Sequence, residues 1–288
     1  MSRHFTDRIS KYAVTLWAVF SFAVLLAIAV FIFIDGLPAF KEVGFFKFLF
    51  GTQWSPEHGQ YGILPMVVGS VAVTAGSMIL AVPLGIGCAI LLAEVASPRV
   101  RQILRPAVEL LVGIPSVIYG FVGMLVVVPF VRQIGGTGFS VLAASIVLAA
   151  MVLPTIISIS EDSIRAVPRR YKEGALAIGA TQWQTIWNVL IPAARSGIVA
   201  GVILGMGRAI GETMAMIMVI GNSPIIPHSP LDPARTLTGN IVAGANYATG
   251  THQSALFATG VVLLFLIIVL NSIAIYVFRK ASRISNVE

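Results

Sequence analysis

Residues 171–215 read YKEGALAIGATQWQTIWNVLIPAARSGIVAGVILGMGRAIGETMA. The first half of this stretch is polar and interrupted by glycine, whereas the second half is apolar and contains Arg208 and Glu212 four residues apart. The first half predicts a surface that contacts something outside a bilayer. The second half predicts a helix inside one, where backbone amides must be satisfied within the segment.

The composition of the whole chain is that of an integral membrane protein. Hydrophobic residues make up 57% of the 288 residues and charged residues only 11%, far from a soluble composition. A ~30 Å hydrocarbon core needs roughly 20 helical residues. Six apolar runs are long enough: 12–34, 64–93, 106–131, 139–160, 198–220 and 257–278. Because these runs are continuous rather than alternating, an all-α bundle of six transmembrane helices is predicted and a β-barrel is not.

The basic residues indicate which side of the membrane each loop occupies. With the N-terminus inside, most of the 19 Lys and Arg residues fall in cytoplasmic segments, as the positive-inside rule requires. The cytoplasmic set is Arg3, Arg8, Lys11, Arg99, Arg101, Arg105, Arg165, Arg169, Arg170, Lys172, Arg195, Arg279, Lys280 and Arg283, and the external set is Lys41, Lys47, Arg132 and Arg235. Both termini are then cytoplasmic, and the net charge of +7 reflects topology rather than nucleic-acid binding. No small-residue cleavage site follows Ile34, so the first run is predicted to be a retained helix.

Two external loops and one bend leave alternatives open. The loop at 35–61 is rich in aromatic residues, which is typical of an interfacial belt or, alternatively, of a segment that docks a partner. The loop at 221–256 contains four prolines and shows little periodicity. The sequence Gly-Ile-Pro at 113–115 predicts a bend, which either serves close packing or faces a water-filled path. In the second case Ser116 and Tyr119 offer hydroxyl groups to that path.

The cytoplasmic segment at 161–197 is predicted to be two short helices rather than a flexible linker. Gly179 is a typical helix stop, and Thr181 with Gln184 has the spacing of a capping box. The second helix is predicted to end at Pro192. Its apolar face consists of Trp183, Ile186, Trp187 and Leu190. An ordered cytoplasmic element of this kind indicates a docking surface for a partner, the alternative being a loop that only covers the bundle.

The fifth run contains the strongest chemical signal. At ~100° per residue, Gly197, Gly201 and Gly205 fall within one ~80° sector of a helix. The same sector is predicted to hold Arg208, Glu212 and Ala215. Because glycines allow helices to approach closely, the two charges are predicted to face protein or a cavity. Such charges cost ~2.5–3.5 kcal/mol on insertion scales and mark a pathway or a buried pair. Either the two side chains satisfy each other, or Arg208 attracts or gates an anion while Glu212 holds it in place.

Enzymatic motifs are absent from the sequence. None of the lysines lies in a G-x-x-x-x-G-K-[ST] loop, and neither G-x-S-x-G nor H-E-x-x-H occurs. The histidines are scattered without metal-ligand spacing. We therefore predict no catalytic residue, no metal and no cofactor on this chain. The single cysteine, Cys88, is expected to be a packed, inert thiol.

One motif in the cytoplasmic segment resembles a known family. E-G-A-x-x-x-G at 173–179, followed after nine residues by V-L-I-P, is similar to the EAA loop of permeases in bacterial ATP-binding-cassette (ABC) importers. The family pattern has Ala, Ile and Leu where this chain has Gly174, Val189 and Ile191. The resemblance implies a coupling helix, within a loop at 171–192, that docks into a partner ATPase. The residues implied in coupling are Glu173, Gly174, Ala175, Gly179 and Pro192.

Further segments resemble the PstC family of phosphate permeases. They are W-S-P at 54–56 with Y-G-I-L-P at 61–65, L-A-E-V-A-S-P-R at 92–99, E-L-L-V-G-I-P-S-V-I-Y-G at 109–120 and G-R-A-I-G-E-T-M-A at 207–215. This resemblance implies a type I, MetI-like importer permease of the bacterial inner membrane, with the intramembrane Arg and Glu at Arg208 and Glu212. Thr213, Ser116 and Tyr119 complete the expected translocation pathway.

The same resemblance implies a set of partners. These are a second, PstA-like permease subunit, a PstB-like ATPase dimer that binds ATP and Mg, an external PstS-like phosphate-binding protein, phosphate itself and membrane lipid. The predicted domains are 1–63 (cytoplasmic tail, first helix and aromatic loop), 64–283 (permease domain) and 284–288 (tail). The alternatives are a permease for another oxyanion such as sulfate or molybdate, a membrane enzyme or a passive channel.

Overall fold

Helices account for most of the backbone in the computed structural model, which describes the backbone of residues 3–284 and the side chains of residues 10–276. The α-helices are α1 (Arg3–Ala39), α2 (Phe45–Phe50), α3 (Leu64–Ile90), α4 (Pro98–Val112), α5 (Ser116–Val122), α6 (Val128–Ile134), α7 (Val141–Arg165), α8 (Arg169–Ala177), α9 (Gln182–Thr185), α10 (Ile191–Gly211), α11 (Met214–Val219), α12 (Leu237–Gly244) and α13 (Thr251–Ile284). Wider π-helical turns occupy Phe40–Gly44, Leu91–Val95, Gly123–Val127 and Ile186–Leu190. An antiparallel hairpin pairs β1 (Trp54–Ser55) with β2 (Gln60–Tyr61).

Six helical segments within these residues are long and apolar enough to cross a membrane. They are Ser10–Phe50, Leu64–Val95, Ser116–Ile134, Val141–Arg165, Gln182–Gly211 and Thr251–Tyr276. The prediction of an all-α bundle with six spans is therefore confirmed. Residues 285–288 of the predicted tail lie outside the described residues, as do the side chains of Arg3, Arg8, Arg279, Lys280 and Arg283.

Helix α7 is the centre of the bundle. Its N-terminus is capped by Ser140, whose Oγ accepts a hydrogen bond from Ala143 N at 3.2 Å. The helix is rich in Ala, Val, Leu and Ile, and most of its side chains are buried. It packs chiefly against α3 and α10, while α1 packs against α13 at the side of the bundle. The central core therefore forms around α7, and α1 leaves most of its apolar surface for lipid.

Glycines set the spacing between α10 and α7, as the sequence predicts. A Cβ added at Gly197 would overlap the Ser163 side chain. At Gly201 it would lie 3.1 Å from Ile159 Cβ, and at Gly205 it would lie 2.9 Å from Ile156 Cγ1. The two helix backbones approach each other as closely as they do because these three positions lack side chains.

The first and third spans differ from their predicted bounds. The first helix does not end near Ile34 but continues through a π turn to Gly44, whose φ of +88° separates it from α2. The run predicted as one helix over 106–131 is divided, because Pro115 has no amide hydrogen and disfavours a helical residue before it. Helix α4 therefore precedes the break as a separate amphipathic helix, and the span itself begins at Ser116. The prediction that Cys88 is a packed thiol is also wrong, because Cys88 is exposed on the surface of the chain.

The last external loop has more structure than its irregular sequence indicates. Residues 221–256 contain α12 and the first turn of α13. Thr236 caps α12 by accepting a hydrogen bond from Gly239 N at 3.0 Å. Ser70 of α3 accepts another from Leu237 N at 2.9 Å, so the start of α12 is fixed against the transmembrane bundle. The loop thus folds back against the helices it connects.

Candidate functional site

Helix α10 ends at Gly211, and the predicted continuous helix over 198–220 is wrong at this point. Glu212 has an extended backbone (φ −68°, ψ 135°), and a new helix, α11, starts at Met214. Glu212 Oε1 accepts a hydrogen bond from Ala215 N at 3.1 Å, which satisfies one of the free amides at the start of α11. Thr213 Oγ1 donates to Gly211 O at 3.3 Å. The Glu and Thr of the G-E-T segment therefore form a break inside the fifth span.

This break separates Arg208 from Glu212. The predicted sector shared by Arg208, Glu212 and Ala215 does not exist, because only Arg208 lies on α10. Arg208 Nη1 instead contacts Thr155 Oγ1 of α7 at 3.5 Å. No carboxylate lies within ion-pair distance of Arg208 among the described side chains. Arg208 is half-buried between helices, with no counter-charge among the described side chains.

Of the two hydroxyl residues predicted on α5, Tyr119 lies close to this break. A Cβ at the neighbouring Gly120 would lie 2.8 Å from Ala215 Cα, which brings α5 directly against α11. The Tyr119 hydroxyl donates to Leu111 O at 2.9 Å across the bend at 113–115. Ser116 begins α5. Within the described residues it makes no hydrogen bond to Arg208 or Glu212.

The N-terminus of α12 also reaches the break, a contact that no motif in the sequence indicates. Thr238 Oγ1 donates to Glu212 O at 2.9 Å, across 26 residues of chain. The carbonyl that α10 leaves unpaired at its end is satisfied in this way. The break is therefore enclosed by α5, α7 and α12 as well as by its own helices.

The cytoplasmic loop has the two-helix structure predicted. Gly179 adopts φ +90° after α8. Ala180 N donates to Ala175 O and Gly179 N donates to Leu176 O, which is the hydrogen-bond pattern of a Schellman C-cap. Thr181 and Gln184 form the predicted capping box, with Thr181 N to Gln184 Oε1 at 2.8 Å and Gln184 N to Thr181 Oγ1 at 3.3 Å.

Pro192 does not end the second helix of this loop, contrary to prediction. The helix is continuous from Gln182 to Gly211, and the π turn at Ile186–Leu190 precedes the proline. Such a turn changes the backbone hydrogen-bond pattern where a proline removes a donor and crowds the preceding turn. One helix therefore connects the cytoplasmic loop to Arg208.

The loop is anchored to the end of the second span by contacts that the sequence did not reveal. Lys172 forms an ion pair with Glu94, and Gln182 Nε2 donates to Glu94 O at 3.2 Å. Arg101 donates to Leu92 O and Ala93 O, which are free carbonyls at the end of the same helix. These partners lie far apart in sequence, so neither hydropathy nor spacing indicates them.

Apolar residues and several of the residues predicted to contact an ATPase are exposed on the cytoplasmic side of this anchored loop. Ile186 and Leu190 are buried, whereas Trp183 and Trp187 are each 58% exposed and Ile178 is 88% exposed. Ala175 lies on the buried face of α8. Glu173, Gly174 and Gly179 are exposed, with open space around both glycines. The loop thus combines a rigid backbone with an uncovered apolar surface.

An ionic cluster joins α4 to the cytoplasmic end of α7. Glu161 is 2% exposed and lies 3.1 Å from Arg165 and 3.6 Å from Arg105. Arg105 also contacts Glu109 and Asp162, each at 3.1 Å. The hydrogen bond to Glu109, followed by the charge of Glu161, raises the pKa of Arg105. The cluster fixes α4 against the cytoplasmic end of α7. In the described part of the chain, no group of three His, Cys, Asp or Glu residues is close enough to hold a metal ion.

Six spans, a break beside a half-buried arginine and an anchored cytoplasmic loop define a membrane permease component. Residues 81–283 match the family described as "Binding-protein-dependent transport system inner membrane component", and the chain belongs to this family. It is a multi-pass inner-membrane protein with the type I, MetI-like importer permease fold.

Named relatives and a solved structure agree with this assignment. The chain is 45% identical over 262 residues to the "Probable ABC transporter permease protein YqgH" of Bacillus subtilis (strain 168), covering 88% of this chain and 85% of the relative. It is 37% identical over 258 residues to the "Phosphate transport system permease protein PstC" of Xylella fastidiosa (strain 9a5c), covering 82% and 80%. A chain of a bacterial alginate ABC transporter in complex with its alginate-bound periplasmic protein superposes with a TM-score of 0.68 at 18% identity, covering 98% and 99%. This last likeness shows the fold.

Proposed function

We propose that the chain is one of two permease subunits of an ATP-driven phosphate importer and forms half of its translocation pathway. The observation that carries this proposal is the half-buried Arg208 without a carboxylate partner among the described side chains, at the end of a transmembrane helix. An uncompensated guanidinium in a membrane bundle attracts an anion, and its planar fork suits an oxyanion. The likeness to relatives named as phosphate permeases supports phosphate as that anion.

The proposed pathway runs along the break in the fifth span. Arg208 contacts the anion, and Tyr119 lies beside the break on α5, which packs directly against α11. Glu212 and Thr213 shape the break rather than bind the anion, because their side chains cap the adjoining helix ends. Ser116 remains part of the proposal as a hydroxyl one turn along α5 from Tyr119. One arginine does not neutralise a divalent anion, so a second, PstA-like permease subunit supplies further positive charge.

The energy for transport is proposed to enter at the cytoplasmic loop, 171–192. A PstB-like ATPase dimer, which binds ATP and Mg, docks against the exposed residues Glu173, Gly174 and Ile178 and the two Trp side chains. Burial of exposed apolar surface of this kind is the main driving force of such docking. A PstS-like binding protein delivers phosphate from outside. The permease domain is proposed to span 64–283, after an N-terminal region of 1–63 and before a tail of 284–288.

Uptake competition tests the choice of anion. Cells that depend on this permease and its cognate subunits are given labelled phosphate together with an excess of unlabelled phosphate, sulfate or molybdate. We expect unlabelled phosphate alone to block uptake. If excess sulfate or molybdate blocks uptake and unlabelled phosphate does not, the chain is a permease for that other oxyanion.

A further inference from the structure

A second arginine, on the external side of the bundle, has no counter-charge within residues 10–276. Arg235 is half-buried just before α12, and no carboxylate lies within ion-pair distance of it in the part of the chain that the structure describes. Its Nε donates to Asn222 O at 2.8 Å and its Nη1 donates to Asn240 Oδ1 at 3.3 Å. Burial lowers the pKa of Arg235, but an arginine stays protonated in proteins. Three of its five N–H groups are left for another acceptor.

Asn240 provides a further unused donor at the same place. Its side chain is 1% exposed, and its Nδ2 has no hydrogen-bond partner. The bond from Arg235 to Oδ1 fixes the orientation of the amide, so Nδ2 lies beside the oxygen that Arg235 contacts. Buried polar groups in folded proteins nearly always have a partner. An unpartnered amide donor beside a guanidinium that has no carboxylate partner among the described side chains indicates a missing acceptor.

The position of these donors relates them to the break near Arg208. Both residues lie at the N-terminus of α12, where the helix dipole adds positive potential. Thr238, which lies between Arg235 and Asn240 in the sequence, links this terminus to the break, because its Oγ1 donates to Glu212 O at 2.9 Å. Glu212 in turn lies four residues after Arg208. Half-helices in transporters point their N-termini at anionic substrates in this manner.

We propose that Arg235 and Asn240 form an outer oxyanion site, which receives the anion from outside and passes it to Arg208. The site rests on the proposed function, since it takes the same anion. Arg235 presents its free N–H groups to one side of the oxyanion and Asn240 Nδ2 presents its amide to the other. Two cationic sites in sequence allow the anion to enter at the external side without an isolated charge crossing apolar surface.

The decisive variant is Asn240→Asp in the complete transporter. The carboxylate has nearly the shape of the amide, it still accepts the bond from Arg235, and a negative charge in the first turn of α12 is favourable to the helix. A purely structural role predicts normal or higher thermal stability and normal uptake. An outer anion site predicts loss of uptake, because the new charge neutralises Arg235 and repels the substrate.

We expect Asn240→Asp and Arg235→Gln to lower the maximal rate of labelled inorganic phosphate uptake roughly 10- to 100-fold, the value of losing a hydrogen bond to a charged group. Complex yield and Tm of Asn240→Asp stay at or above those of the wild type. Arg132→Gln is the matched control, because Arg132 is an exposed external arginine whose Nε also donates to a backbone carbonyl, Thr137 O, at 3.0 Å. Its uptake stays normal.

Wild-type uptake by a stably assembled Asn240→Asp transporter overturns the outer site. The partner of Asn240 Nδ2 would then be a water molecule. Should that variant fail to assemble, Arg235→Lys decides. Reduced uptake with normal assembly supports the site, because lysine retains the charge but not the fork, and normal uptake overturns it. If the wild-type complex takes up no phosphate, the proposed function fails instead, and the same variants are measured with the anion that the competition assay identifies.

Discussion

Glu212 Oε1 accepts a hydrogen bond from Ala215 N at 3.1 Å, so this carboxylate caps α11 and does not neutralise Arg208. Two charges that are four residues apart in sequence therefore have separate tasks. Glu212 stabilises a helix end inside the bundle, and Arg208 is the residue proposed to bind the anion.

This division predicts that Glu212 tolerates loss of charge but not loss of its oxygen. In Glu212→Gln the amide oxygen still accepts from Ala215 N, so we expect a Tm close to the wild type and most of the uptake. In Glu212→Ala the cap is lost, at about 1 kcal/mol of stability, and a residue with high helix propensity favours closure of the break. Thermal unfolding of the purified complex and uptake assays measure both effects. Equal loss of uptake in the two variants would show that the charge itself is needed.

Arg208 is predicted to be essential for uptake and dispensable for folding. Arg208→Gln removes the positive charge but retains a polar side chain on α10, so we expect normal assembly and an uptake rate reduced roughly 10- to 100-fold, the value of losing a hydrogen bond to a charged group. Uptake of labelled phosphate and the yield of the purified complex are the two measurements. Normal uptake in this variant would reduce Arg208 to a packing residue.

Glu173 is predicted to act at the ATPase interface and not in the chain's own stability. Its side chain is exposed and forms no ion pair among the described residues, so Glu173→Lys is expected to leave Tm unchanged. We expect the ATPase to detach during purification, or to hydrolyse ATP without transport. The matched control is Glu57→Lys, the same charge change at an exposed external position. Wild-type transport with wild-type ATP consumption would contradict the coupling role.

The glycine face of α10 is predicted to be sensitive to a single methyl group. In Gly197→Ala the new Cβ overlaps Ser163, and we expect a loss of about 1–3 kcal/mol from overpacking. Gly207→Ala on the same helix has nothing within 4 Å of its Cβ, so it is expected to be neutral or stabilising by up to ~1 kcal/mol through helix propensity. Thermal unfolding of the detergent-solubilised protein compares the two. Equal Tm values would mean that α10 and α7 move apart without difficulty.

Local signals in the sequence predicted local structure well. Hydropathy located all six spans, and the capping box at Thr181 and Gln184 and the stop at Gly179 formed as their spacing indicates. The three glycines of α10 also face a neighbouring helix as their period predicts. Each of these features depends on residues within one or two helical turns of each other, so the local sequence contains all the groups that determine it.

Features that depend on distant contacts were missed. The break at Glu212 contains no proline that would predict it. The free carbonyl of Glu212 accepts a hydrogen bond from Thr238, which hydropathy places in an irregular loop. At Pro192 a helix end was predicted where none exists, because the π turn before the proline allows the helix to continue through it. The ion pair of Lys172 with Glu94 joins residues 78 positions apart. In each case the missing information is which groups the tertiary fold brings together.

The continuous helix from Gln182 to Gly211 has a mechanical consequence. Its closest approach to α7 includes Gly201, which lies ~27 Å along the helix from Trp183 and ~10 Å from Arg208 at 1.5 Å per residue. If the helix tilts as one body about that contact, a ~5 Å displacement at Trp183 moves Arg208 by ~2 Å in the opposite direction. A movement of that size is enough to break or form a hydrogen bond. A displacement of the helix at the cytoplasmic face would therefore change which group the Arg208 guanidinium contacts.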